Sequence, residues 1–105
     1  MVDSLSPRDL QGRLEAGEDL LLLDIRSKEE YDICHIHPSL LIPIEELYHR
    51  YEELPRDKDI VVICHYGTKS EAAVFFLRRQ GFRAYSLKGG INMWACTVEP
   101  DMAQY

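Results

Sequence analysis

Four consecutive β-branched residues, Ile60-Val61-Val62-Ile63, lead without a polar break into Cys64. A strand that is apolar at every position must be covered on both faces, which happens inside a sheet sandwiched between helices. The next seven residues, Cys64-His65-Tyr66-Gly67-Thr68-Lys69-Ser70, form a short loop with one glycine, and Glu71-Ala72-Ala73-Val74-Phe75-Phe76-Leu77 then favours helix. Strand, tight loop and helix in that order are the repeating unit of a parallel α/β sheet.

The rest of the chain carries the same alternation. Ser6 before Pro7 predicts a helix start, with Leu10 and Leu14 at helical spacing up to Gly17. Leu20 to Leu23 predicts a buried strand ending at Asp24, and Ser27 with Glu30 three residues later predicts a capping box on a short helix. Leu40-Leu41-Ile42 predicts a strand stopped by Pro43, and Ile44, Leu47, Tyr48 and Tyr51 a helix up to Pro55. After the loop, the spacing predicts a helix from Ser70 to Gly81 with Ala72, Ala73, Phe76 and Leu77 facing inward. Arg83 to Leu87 reads as the last strand, and Gly89-Gly90 as a turn into a short helix carrying Trp94. The expected fold is a three-layer α/β domain, a mainly parallel sheet of about five short strands with helices on both faces. With 105 residues, 46% of them hydrophobic, the chain has enough apolar surface for one core, so residues 1–105 are read as one domain.

Charge and cysteine usage narrow the function classes. A net charge of −6 argues against a broad nucleic-acid surface, and no apolar run approaches the length of a membrane span. Lys69, Arg78, Arg79, Arg83 and Lys88 give a local basic excess, read as a solvated helix face except at Lys69. Three irregularly spaced cysteines make no disulfide framework and fit a reducing compartment, so the cytoplasm is the expected location.

Cys64 stands at the carboxyl end of a strand and just before a helix, where unpaired N–H groups and the helix dipole favour anions. Gly67 lets the loop curl so that N–H groups converge on the sulfur, Ser70 is positioned to cap the helix, and Lys69 adds a cation favouring thiolate. A buried, inert cysteine at a strand end is the competing reading.

Cys64-x-x-Gly67-x-Lys69-Ser70 resembles the C-x-x-G-x-[RK]-[ST] active-site loop of single-domain rhodanese-like sulfurtransferases. Leu23-Asp24-Ile25-Arg26-Ser27-x-x-Glu30-Tyr31 resembles the family's D-[VI]-R-x-x-x-E-[FY] segment, and His35-Ile36 with Ile42-Pro43 its G-H-I-P-G-A-x-N-I-P run. Gly81-Phe82 and Leu87-x-Gly89-Gly90-Ile91-x-x-Trp94 match its closing segment, so the pieces fall in family order through most of the chain. The resemblance implies that Cys64 takes sulfane sulfur from thiosulfate or a persulfide donor, holds it as a persulfide, and passes it to a nucleophilic acceptor. That acceptor would be cyanide in vitro and a thiol or sulfur-carrier protein in the cell. His65, Tyr66, Gly67, Thr68, Lys69 and Ser70 become the expected substrate-binding residues, and no metal or organic cofactor is required. The loop is one residue shorter than that of the related phosphatases, which suits sulfur better than phosphate.

Two departures matter. Lys69 stands where many active relatives carry arginine, so a point charge replaces a bidentate fork, and only modest thiosulfate use is expected. Cys34-His35-Ile36-His37-Pro38-Ser39 lacks the family's glycine before the histidine, so the turn there is expected to be rebuilt. Cys34, His35, His37, Cys64 and His65 lack the paired spacing of a structural zinc site, and His35 is expected to be structural. Asp24, Arg26 and Glu30 read first as a charge network supporting the fold, and Cys96 as a packing residue. The ending, from Trp94 through Val98-Glu99-Pro100 to Tyr105, resembles that of rhodanese domains fused to adenylyltransferases that activate ubiquitin-like sulfur carriers, and of some stand-alone bacterial proteins. A rhodanese-fold interaction module is the alternative of different class, and a small phosphatase-like domain a third; retention of Cys64 favours the enzyme.

Overall fold

The computed structural model describes residues 3–105. In chain order its elements are β1 (Ser4–Leu5), α1 (Pro7–Glu15), β2 (Leu21–Asp24), α2 (Lys28–Ile33), β3 (Leu40–Leu41), α3 (Ile44–Arg50), β4 (Ile60–Ile63), α4 (Thr68–Arg79), β5 (Ala84–Leu87) and α5 (Gly90–Thr97). A single 3₁₀ turn, Tyr51–Glu53, follows α3.

Local chemistry accounts for the helix starts. Ser6 and Ser27 each accept the N–H three residues on, while Asp9 and Glu30 reach back to the cap N–H, so both α1 and α2 begin in a full capping box. Helix α4 starts differently from expectation. Gly67 adopts φ +95°, which starts the helix at Thr68 and leaves Ser70 inside the first turn with its hydroxyl turned inward. Ser70 is therefore no cap. The buried stripe of α4 is Ser70, Ala73, Val74 and Leu77, at i, i+3, i+4 and i+7, so Ala72 faces solvent and Phe76 lies at the margin.

All five strands pair in parallel, in the order β1-β5-β4-β2-β3. Every residue of β4 is fully buried, and its side chains alternate between two cores. Ile60 and Val62 pack with Leu47, Val74 and Leu77 under α3 and α4. Val61 and Ile63 pack with Leu10, Ile91 and Trp94 under α1 and α5. Each such side chain contributes about 1.5–3 kcal/mol of burial, which is why a strand with no polar position is stable only here. Strand β1, an edge of two residues, had no counterpart among the expected elements, and Cys96 points outward rather than packing.

The strand order reverses beside β4. Chain after β2 runs outward to β3 on one side, and chain after β4 runs outward to β5 on the other. Loops leaving the carboxyl ends of β2 and β4 consequently diverge, and the crevice between them is where ligands collect in open α/β sheets.

Candidate active site

Cys64 lies at the floor of that crevice with 3% of its surface exposed. Its sulfur accepts the N–H of Gly67 at 3.0 Å and of Ser70 at 3.3 Å, and its thiol donates toward Ser70 Oγ at 3.4 Å. Ser70 Oγ in turn donates to the carbonyl of Gly67 at 3.1 Å and bonds Ser86 Oγ on β5 at 2.6 Å. Two buried serines thus fasten the loop to the sheet and hold a polar contact against the sulfur.

The other side of the loop is held by α5. Ile91 N–H donates to the carbonyl of Cys64 at 2.8 Å, and Asn92 N–H to that of His65 at 3.0 Å. A Cβ at position 90 would collide with both of those carbonyl oxygens, so only glycine lets α5 dock so closely. Gly67 is constrained likewise: besides its positive φ, a Cβ there would stand 2.9 Å from the N of Gly89. With the loop carbonyls engaged outward by α5, the N–H groups of Gly67 and Ser70 are left facing the sulfur.

Above the sulfur opens a cleft of about 390 Å³, lined on the loop side by Cys64, His65, Tyr66, Thr68 and Lys69. Of the seven residues expected to form the site, these five reach the cleft, whereas Gly67 and Ser70 act from beneath. Ile25, Arg26, Ser27, Glu30, Ile44 and Glu45 make the opposite wall. That wall was not anticipated as part of the site: Arg26 and Glu30, with Asp24, were read as a charge network supporting the fold. Arg26 is nevertheless only two residues past the end of β2, where the strand-end rule directs attention.

The charges in the cleft are unequal in availability. Arg26 is buried and its guanidinium is engaged: Nε and Nη2 donate to Asp24 at 2.8 and 2.6 Å, Nη2 also to the carbonyl of Cys34 at 2.7 Å, and Nη1 to Tyr105 Oη at 3.0 Å. Burial pulls its pKa down, but Asp24 and Tyr105 outweigh that and raise it above the ordinary arginine range. Burial also acts to raise the Glu30 carboxyl, yet the N–H and hydroxyl of Ser27 outweigh it and hold the group below the usual range, as an anion at neutral pH. Lys69 belongs to none of the ion pairs among the described residues, so it is the lining cation with donors to spare. Arg78 and Arg83 are tied to Asp3 and Asp59 instead, away from the cleft.

His35 is structural, as expected: its ring stacks on Tyr31 at 3.8 Å and its Nδ1 bonds the Tyr31 carbonyl at 2.8 Å. Among the described residues no three His, Cys, Asp or Glu side chains gather as metal ligands. His65 is sandwiched between Tyr66 and Tyr105, each ring centroid 3.9 Å away. Tyr105 was read only as part of an ending; nothing in local spacing places it against a residue 40 positions earlier.

Comparison with known proteins agrees with this geometry. Residues 6–96 match the model of the rhodanese-like domain. The chain is 38% identical over 96 residues to a protein named "Sulfurtransferase" of Allochromatium vinosum, covering 90% of each. It is also 38% identical to "Probable adenylyltransferase/sulfurtransferase MoeZ" of Mycobacterium tuberculosis, where 97% of this chain matches but spans only 27% of that protein. The crystal structure of a rhodanese-related protein from Thermoplasma volcanium superposes with a TM-score of 0.86 at 36% identity, over 93% of this chain and 95% of that one. Sequence match, sheet order and the cysteine loop at the switch point coincide, and the chain belongs to the rhodanese-like domain family.

Proposed function

We propose that this protein is a sulfurtransferase that carries sulfane sulfur as a persulfide on Cys64. The observation that carries the reading is the cradle: two backbone N–H groups and a serine hydroxyl on the sulfur, at the base of an open cleft. The Cys64 thiolate attacks the outer sulfur of a donor R–S–SH; the new S–S bond forms as the donor S–S bond breaks, giving Cys64–S–SH, which keeps the donor's proton on the transferred sulfur, and R–S⁻ as the leaving group. With thiosulfate the leaving group is sulfite. An acceptor nucleophile then attacks the outer sulfur and releases the Cys64 thiolate; cyanide departs as thiocyanate. A thiol or a sulfur-carrier protein is the cellular acceptor, in keeping with relatives joined to adenylyltransferases. Three free cysteines suit a reducing compartment such as the cytoplasm.

Charge favours a persulfide over thiosulfate as donor. A thiosulfate dianion would meet one available cation, Lys69, and the carboxylates of Glu30 and Glu45 across the cleft. Lysine binds it as a point charge without the paired bonds of a guanidinium. His65, Tyr66 and Thr68 contact the donor or acceptor at the mouth, while Gly67 and Ser70 stabilise the sulfur from below.

Intact mass after brief incubation with glutathione persulfide or thiosulfate tests both parts. One sulfur atom is expected on the wild type, removable by cyanide and absent from Cys64→Ala, with the persulfide loading it faster. Lys69→Arg should raise the thiosulfate rate about tenfold, equivalent to ~1.4 kcal/mol of added stabilisation. No added sulfur from either donor would refute the transfer reading, and equal loading by both would refute the donor preference.

A further inference from the structure

Tyr105 touches both walls of the cleft. Its ring lies over His65, the residue after Cys64, with centroids 3.9 Å apart and planes 20° from parallel. Its hydroxyl accepts a hydrogen bond from Arg26 Nη1 at 3.0 Å, and that guanidinium is locked to Asp24 at the end of β2. His65 and Arg26 are lining residues on opposite sides, and both belong to the loops that diverge at the switch point. Burial pushes the tyrosine hydroxyl up to about 12, so at neutral pH it remains a neutral partner.

From this geometry we infer that Tyr105 is a positioning residue for sulfur transfer, acting through His65 to set the cleft beside Cys64. The inference rests on the sulfur-transfer reading above. The α5 helix pins the backbone of His65, through Asn92, but leaves its ring free to turn. Stacking between Tyr66 and Tyr105 removes that freedom, and the bond to Arg26 ties the outer ring to the opposite wall. Tyr105 thereby joins the loop that carries Cys64 to the loop that follows β2. An aromatic contact of this kind changes a rate by about three- to tenfold when its geometry matters to the reaction.

The test is a double-mutant cycle on discharge of the Cys64 persulfide to cyanide, using wild type, Tyr105→Ala, His65→Ala and the double variant. Tyr105→Ala is expected to lower the maximal rate about three- to tenfold with KM for cyanide little changed, and to have no further effect in the His65→Ala background. Tyr105→Phe, which keeps the stack and loses the bond to Arg26, should recover at least half of the wild-type rate. A Tyr105→Ala rate within twofold of wild type, whatever its thermal midpoint, overturns the inference, as does a full independent loss in the double variant. If wild type takes up no sulfur, the functional reading fails on its own, and alkylation of Cys64 by iodoacetamide decides the positioning role. A threefold or greater acceleration in Tyr105→Ala then supports it, and an unchanged or slower rate overturns it.

Discussion

Replacing Ser70 with alanine removes more than one hydroxyl. Ser70 Oγ is the partner of Ser86 Oγ, which is buried on β5, and it also touches the Cys64 sulfur. The substitution strands Ser86 without a hydrogen bond, a loss of about 1–3 kcal/mol. Removing both hydroxyls leaves no orphaned hydroxyl, while the Gly67 carbonyl loses its donor in either background, so Ser70→Ala/Ser86→Ala should be less destabilised than the sum of the single variants. Urea unfolding of the four proteins measures the coupling. Additive losses would show that the two hydroxyls do not depend on each other. Sulfur loading should fall in both proteins that lack the Ser70 hydroxyl, because the contact against Cys64 is gone in each.

Between elements, Asp59 plays the joining part. It stands just before β4 and takes Arg13 of α1 at 2.7 Å and Arg83, just before β5, at 2.8 Å. The hydrogen bond from Arg13, chiefly, holds the Asp59 carboxyl below its ordinary range. A group lowered in the folded state stabilises it at pH values above its unfolded pKa, and that contribution is lost as pH falls through the folded value. Asp59→Asn should therefore cost up to about 1 kcal/mol above pH 5 and little in strong acid. Urea midpoints taken from about pH 2.5 to 6 would check it, and an acid limb as steep in the variant as in wild type would count against the assignment. Glu30 adds to the same limb, so some slope remains. The elements themselves were readable where local signals were complete. Two capping boxes, the apolar run of β4 and the glycine before α5 each placed an element within a residue or two. Strand β1 was not, because two residues at an edge carry no period. The inward face of α4 was misread at Ala72, since the helix start depends on the left-handed turn at Gly67 and the face on what packs against it. In the site the same division holds: the contiguous loop from Cys64 to Ser70 was legible, whereas the wall of Arg26, Glu30 and Glu45 needed the sheet order to bring it alongside.

Across the whole molecule, the buried pair Asp24–Arg26 connects parts that no single core joins. Asp24 is 0% and Arg26 4% exposed. Through Arg26 the end of β2 is tied to the carbonyl of Cys34, the cap of α2, and to Tyr105 at the far end of the chain. A buried ion pair adds little net stability over an apolar pair of similar volume, but removing one member leaves an uncompensated charge. Asp24→Ala is therefore expected to cost about 3–5 kcal/mol, a large part of the roughly 5–15 kcal/mol available to a domain of this size. The exposed pair Lys28–Asp32, at a similar distance of 2.9 Å, supplies the contrast: Lys28→Ala should change stability by less than about 0.5 kcal/mol. Urea unfolding of both variants separates burial from distance as the source of the effect. Equal, small losses would mean that the Asp24 network is no more than a surface contact. A large loss in Asp24→Ala together with faster alkylation of Cys64 at urea concentrations below the unfolding transition would place the network in the support of the cleft as well as of the fold. The two walls are joined there, and loosening Arg26 releases Tyr105 from one of them.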